Sequence, residues 1–290
     1  MGDPGWSVEP LGGDSYEFVW PTGYYRTVFS VSDEGVIALD PISRDAAAAY
    51  RDAIASVTDQ PVTYIVYSHE HLDHIVGAEV LAPDAQIVGH KDLGANLTSR
   101  GITGVPLPTV LVEGHRRLRL GEVTWELYDL GPNHSRTNLA VVNRADRWAA
   151  LIDVIAGGLV PYRNLPVTDF VGTMRSLETL DAFDDVDVTL DGHCPPAPRE
   201  WIDNYRRYYR DLLDAAAAAR AEVNEVSILN DGDYRPEELA DGVAMTDRMF
   251  DETAALAVER LRPAYGAWGG FERWAPMNVD RALIYLITGE

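Results

Sequence analysis

The order of predicted elements describes a mixed α/β sandwich followed by a helical extension. Three observations carry that reading. Aromatic and β-branched runs recur up to residue 152, isolated helical patterns interrupt them, and long helical patterns take over after residue 198.

The N-terminal run opens with segments 14–20 and 24–31, joined by Pro21-Thr22-Gly23, which predicts a β-hairpin. Segment 35–39 is a third strand and stops at Asp40-Pro41. Residues 43–57 follow as an Ala-rich helix with Ser43 as its N-cap. The continuous apolar run 62–67 predicts a strand buried on both faces, and a polar cluster, Ser68–His74, ends it. A short helix over 75–81, a strand over 86–89 and a helix over 91–98 come next. Strands are predicted at 117–120, 122–130, 138–143 and 147–152, then a helix at 168–182 capped by Thr168, then a strand at 186–190. Beyond that, helices are expected at 199–224, 246–262 and 278–288. The division expected from this pattern is a catalytic domain over 1–197 and a helical extension over 198–290, serving as a lid, a packing layer or a dimer interface. Trp201, Tyr205, Tyr208 and Leu212 fall at helical spacing and read as a packing stripe.

Composition removes several classes of function. The 290 residues carry 24 basic and 46 acidic side chains, a formal charge of −22. A nucleic-acid backbone or an anionic membrane needs a basic surface, so neither is an expected partner. Cys194 is the only cysteine, which excludes an internal disulfide, a Cys-based zinc finger and an iron–sulfur centre. It reads as an inert, buried thiol. The opening MGDPGWSVEP has no basic-then-apolar signal pattern, and no apolar run approaches the ~18 residues of a membrane span. A cytoplasmic protein is the expectation.

Chemistry is concentrated in His69-Glu70-His71-Leu72-Asp73-His74, which holds three of the chain's seven histidines. It sits at the carboxyl end of a predicted strand, where α/β proteins build sites. Neutral imidazoles and carboxylates are ligands for Zn²⁺ and similar ions. His69 and His71, two apart in extended chain, point the same way and can share one ion, which leaves Asp73 and His74 for a second. Neither site is complete with those residues, so further ligands are needed. His134, Asp153 and His193 each follow a predicted strand and can supply them. His90 and His115 read as ordinary strand-end or loop residues.

The set HEHLDH, His134, Asp153 and His193 resembles the metallo-β-lactamase superfamily over about residues 14–195. That resemblance implies a four-layer αβ/βα sandwich. It also implies that His69, His71 and His134 hold one metal, that Asp73, His74 and His193 hold another, and that Asp153 bridges the two. Histidine rather than Glu at 71 disfavours a flavodiiron-type centre. Aspartate rather than Cys at 153 is similar to glyoxalase II-like thioesterases, lactonases and phosphotriesterase-like members. The function this implies is a dinuclear-metal hydrolase, with two Zn²⁺ (iron or manganese being the alternatives). A metal-bridging hydroxide would attack an ester, lactone, thioester or amide of a small molecule, and Asp73 would handle the proton. Tyr24, Tyr162 and Asn164 are the candidate substrate contacts, on the predicted hairpin turn and the 161–166 segment. A mono-iron sulfur dioxygenase-like enzyme and a non-catalytic metal-binding protein are the alternatives, and a homodimer through the extension is open.

Overall fold

A computed structural model gives the structure of residues 5–20, 24–163, 165, 169–223, 228 and 239–289. The chain separates into two compact units, Met1–Gly157 with Val167–Ile202, and Gly158–Pro166 with Asp203–Glu290.

In the first unit, β1 (Ser7–Gly12), β2 (Ser15–Trp20), β3 (Tyr25–Ser32), β4 (Gly35–Leu39), β5 (Val62–Val66), β6 (Gln86–His90) and β7 (Val110–Val112) form one sheet in sequence order. Pairing is antiparallel as far as β4 and parallel from β4 to β7. All five residues of β4 are buried, as a strand covered on both faces requires. The second sheet runs β13 (Ala197–Pro198), β12 (Val188–Leu190), β11 (Trp148–Ala150), β10 (Leu139–Asn143), β9 (Val123–Asp129), β8 (His115–Leu120). Only its β11–β12 pair is parallel.

Alternation along the strands makes two cores. One face of the first sheet packs on α1 (Arg44–Val57), α3 (Ala78–Leu81) and α4 (Leu93–Ser99) through Phe18, Phe29, Tyr50, Ile54, Leu81 and Leu97. Ser43 caps α1 by accepting the Ala46 N–H, and the inward stripe Ala46, Ala47, Tyr50, Ala53, Ile54 sets the helix against the sheet. Tyr50 stacks on Phe18 with centroids 4.6 Å apart and donates its hydroxyl to the Val28 carbonyl. The other face meets the second sheet, where Trp125 and Trp148 pack edge to face at 5.2 Å among Val and Leu side chains. A polar knot crosses this dry layer. Ser15 bonds Ser30 and Asp146, Asn143 bonds Ser15 and Asp146, and Trp125 Nε1 donates to Ser30. Every member of the knot has a partner, which helps fix the register of the two sheets, whereas the neighbouring Trp148 Nε1 is buried without one.

Several boundaries differ from the sequence expectation for local reasons. The helix expected at 75–81 is two single turns, α2 (Leu72–Ile75) and α3, broken at Gly77 with φ +102. A Cβ on Gly77 would stand 2.7 Å from the Ser43 carbonyl oxygen, so the close approach to α1 requires glycine. β1 and β7 are additional edge strands. The helix expected from 168 is α5 (Phe170–Thr179), capped by Asp169 accepting the Gly172 N–H at 2.7 Å, and continues as a 3₁₀ turn over Leu180–Phe183. Thr168, the expected cap, lies outside the described residues.

The second unit contains α7 (Leu239–Tyr265), α8 (Phe271–Thr288) and most of α6 (Glu200–Glu222). Helix α8 begins seven residues before the expected 278, with Pro276 inside it. Tyr208, Tyr265 and Trp268 form an aromatic cluster with centroid separations of 4.9–5.8 Å. Asn278 is fully buried; it donates to the Pro161 carbonyl and the Tyr208 hydroxyl and accepts the Leu165 N–H. Among the described residues no helix is long and apolar enough to cross a membrane.

Candidate metal centre

Four loops at the carboxyl ends of strands supply the site in the first unit. After β5 the chain bends through Ser68–Glu70 and is extended again at His71, whose φ −76 and ψ 140 let it stand as the N-cap residue of α2. The single turn that follows separates two ligands. Asp73 keeps its carboxylate half-exposed, whereas His74 turns inward and is buried. His134 arrives on the loop after β9, Asp153 just after β11 and His193 just after β12.

The structure brings all seven predicted ligands together in two groups. His69, His71, His134 and Asp153 form one, and Asp73, His74 and His193 the other, with ligand atoms within 4.8 Å of one another inside each group. Asp153 touches both. Its Oδ2 lies 3.4 Å from His69 Nε2, 3.3 Å from His74 Nε2 and 3.2 Å from His134 Nε2, and its Oδ1 lies 3.2 Å from His193 Nε2. Asp73 Oδ2 is 3.9 Å from His74 Nε2 and 4.0 Å from His193 Nε2. Asp153 has φ +60, a left-handed conformation that Asp adopts more readily than most residues, and its N–H is held by the Asp191 carbonyl.

A proton count tests whether a cation fits. Ser68 has one hydroxyl hydrogen, which goes to Asp40 Oδ2 at 2.6 Å. Ser68 Oγ must then accept from His69 Nδ1, 2.9 Å away, which places the ring proton on Nδ1 and a lone pair on Nε2. Asp40 Oδ2 also lies 3.3 Å from His74 Nδ1 and orients that ring the same way. Both Nε2 atoms are buried, make no hydrogen bond and face the Asp153 carboxylate. Lone pairs and a carboxylate converging at this range repel unless positive charge lies between them. Ligands about 2.0–2.1 Å from a tetrahedral Zn²⁺ stand about 3.3–3.4 Å apart, close to the Asp153–histidine spacing. The donor set therefore fits divalent ions.

Titration tendencies divide the rings: His69 and His71 favour the neutral form, whereas His74 and His193, beside Asp153, draw positive charge. Burial pushes the His69 imidazole down to about 3, against opposing help from Asp153, so the ring is neutral at pH 7. Burial, then the neighbouring His134, lowers His71. Burial would lower His74 as well, but the Asp153 and Asp40 carboxylates outweigh it and hold that ring well above the usual range. His193 is raised by Asp153 against its own burial. Burial would raise Asp153, yet contacts with His134, His193, His69 and His74 hold it well below the carboxylate range.

Several positioning residues were not predicted. Asp40 orients His69 through Ser68 and faces His74 directly; its signal was the abrupt Leu39-Asp40-Pro41 end of a buried strand. Glu70, the unassigned carboxylate inside HEHLDH, accepts from the Thr137 hydroxyl, Asn96 Nδ2 and the Arg136 N–H. Burial opposes its charge, but the Thr137 and Ser135 contacts pull it to about 2, so it ties the His134 loop down as an anion. Asn138 accepts from the Ser135 N–H and donates to the Ile152 carbonyl, which joins the His134 loop to the Asp153 strand end. His90, expected to be an ordinary residue, is buried and bonds Asp129 at 3.1 Å at the base of the His134 loop. Cys194 is half-buried rather than fully buried, and burial pushes its thiol up to about 12.

Of the three candidate substrate contacts, Tyr24 lies at the centre's edge. Its ring centroid is 4.8 Å from that of His193, and its carbonyl is 3.2 Å from His193 Nδ1. Tyr162 belongs to the second unit, where it meets Trp274 edge to face at 5.1 Å. Asn164 lies outside the described residues.

A sequence profile of the metallo-beta-lactamase superfamily matches residues 26–193, and the chain belongs to that superfamily. It is 31% identical to the 2,4-dinitroanisole O-demethylase subunit alpha of Nocardioides sp. (strain JS1661), over 92% of this chain and 82% of that one. The fold is similar to a metallo-beta-lactamase from Pontibacter korlensis (TM-score 0.62, 15% identity, 71% of this chain and 99% of that one). It is also similar to one from Erythrobacter litoralis (TM-score 0.61, 18% identity, 73% and 99%). At those identities the structural likeness establishes the fold, with the helical C-terminal region added to it.

Proposed function

We propose that the protein is a divalent-metal-dependent hydrolase of a small molecule. The observation that carries this is Asp153, whose two oxygens face histidines of both ligand groups at 3.2–3.4 Å. His69, His71 and His134 would hold one ion, Asp73, His74 and His193 the other, and Asp153 both; zinc suits the nitrogen-rich set, with iron or manganese as alternatives. Such ions supply Lewis acidity toward a substrate oxygen and lower the pKa of bound water.

The chain's own residues do the rest. Asp73 is the ligand with a half-exposed carboxylate, so it can take the proton of an attacking water and pass it to the leaving group. Asp40, Ser68 and Glu70 fix the rings and loops, which limits reorganisation during the reaction. The exposed Tyr24 ring beside His193 offers a flat apolar face to a substrate.

Carbonyl substrates (esters, lactones, thioesters, amides) are the first class to test. The relative's name adds an activated aryl methyl ether. Water can cleave one without an oxidant, since an aryl methyl ether plus water gives a phenol plus methanol. The mono-iron oxygenase reading is less favoured, because a complete second ligand group is assembled. A homodimer, or a partner subunit as the relative's name implies, is a further part of this proposal. The test is metal analysis together with hydrolysis of a chromogenic panel in ¹⁸O-labelled water. Two ions per chain and one ¹⁸O in the product are expected. One iron per chain with O₂ consumption would overturn the hydrolase reading.

A further inference from the structure

Between β3, β4 and the exit of β12 lies a part-enclosed cavity of about 10 Å³. Its polar lining is Glu17, Arg26, Thr27, Asp191 and Cys194, and Leu39 and Ile152 are among its apolar walls. A volume of that size holds about one water molecule, and a buried water also needs two or more polar partners. The cavity supplies them. Glu17 Oε1 and Arg26 Nε are buried and make no hydrogen bond, although Arg26 donates through its guanidinium to Glu17 Oε2 at 2.8 Å. A buried ion pair left with a spare acceptor and a spare donor is costly. One water can satisfy both at once.

The pair also stands behind a ligand. Arg26 and Glu17 are diagonal neighbours on paired strands β2 and β3, so their contact sets the start of β3. That start grips the His193 loop. The Arg26 backbone N–H donates to the Gly192 carbonyl at 2.8 Å, and the Tyr24 carbonyl lies 3.2 Å from His193 Nδ1. A carbonyl can only accept, so it directs the ring proton to Nδ1 and leaves Nε2 toward Asp153 Oδ1. From the other side, Asp191 Oδ1 accepts the N–H groups of His193 and Cys194.

We propose that Glu17 and Arg26, closed by one buried water, form a positioning unit for His193 and thereby tune the second ligand group separately from the first. This rests on the reading that each group holds an ion. If the ion pair were purely structural, its loss would lower thermal stability and leave the two groups equally able to bind.

The test titrates metal-depleted wild type and Glu17→Gln with Co²⁺, following the two binding steps by absorbance and calorimetry. The first step should stay within about twofold of wild type, and the second should weaken by about 10–100-fold, the range for an outer-shell partner. Two unchanged steps, or two steps weakened alike, would overturn the proposal. If Glu17→Gln does not fold, the double variant Glu17→Met/Arg26→Met replaces the pair with apolar volume and is read in the same way. If wild type itself takes up a single ion, the two-ion reading fails and crystal structures of metal-free protein decide this one. A water within hydrogen-bond distance of Glu17 Oε1 and Arg26 Nε, with the His193 ring displaced from Tyr24 in the variant, sustains it. A dry cavity or an unmoved ring overturns it.

Discussion

The ligand loops of the first unit and the Asn278 hub of the second both bury polar groups, but in opposite conditions. Asn278 engages both ends of its amide: two donated bonds and one accepted, all to neutral partners. The ligand loops leave His69 Nε2 and His74 Nε2 without a hydrogen bond and aim them at a carboxylate. A satisfied network adds to stability by itself, whereas an unsatisfied one needs a further component. The contrast separates a group whose bonds are met by packing from groups that would need an ion, although each is a buried polar side chain.

The sharpest way to break that contrast is Asp153→Ala. If the four converging histidines depend on this carboxylate, the variant loses ions from both groups, and kcat/KM on whichever panel substrate is turned over falls by at least about a hundredfold. Metal content by mass spectrometry and steady-state rates check it. Retention of two ions would show that Asp153 is a neighbour and not a shared ligand. A step down in size, Asp40→Asn keeps the shape but loses the anion that orients His69 through Ser68 and faces His74. Metal affinity should fall by about 10–100-fold, the usual effect of an outer-shell partner. Chelator competition reads it, and unchanged affinity would mean that the rings are oriented by packing alone.

The opposite region predicts the opposite signature. Asn278→Ala leaves the Pro161 carbonyl, the Leu165 N–H and the Tyr208 hydroxyl without this partner. Each buried group left unmet costs about 1–3 kcal/mol, so Tm should drop clearly. Metal content should not change. A variant that lost metal as readily as stability would erase the distinction between the regions.

What the sequence disclosed follows the same line. The grouping of the candidate ligands was legible because histidine is scarce in this chain and six positions hold three of them. Strands were legible in continuous apolar runs such as 35–39 and 62–67, although only the first is buried throughout and Val62–Tyr64 of the second are partly exposed. Asp40, Glu70 and Asn138 were not assigned, because each makes contacts across 14 to 67 residues of chain that no local pattern reports. The break at Gly77 was missed for a related reason. A glycine within helical periodicity is tolerated, and only the nearness of Ser43 on another element makes it obligatory.

The smallest expected effect tests whether the second unit holds any charge at a cost. Asp280 on α8 is raised from 3.8 to about 6, first by burial and then by repulsion from Asp251 on α7. A carboxyl that binds its proton more tightly folded than unfolded is most favourable at low pH. Its contribution then declines as pH rises from about 4 to about 6, and is fully unfavourable above that. Because the side chain is only half-buried, the cost at pH 7 is about 1 kcal/mol rather than the full value of the shift. Asp280→Asn should therefore raise Tm modestly at pH 7, and the gain should vanish by about pH 4. Thermal melts of wild type and variant across that range decide it. A gain that persists at pH 4 would assign the effect to helix packing instead of to charge, and would leave the ligand loops as the region where this chain sets buried groups against one another.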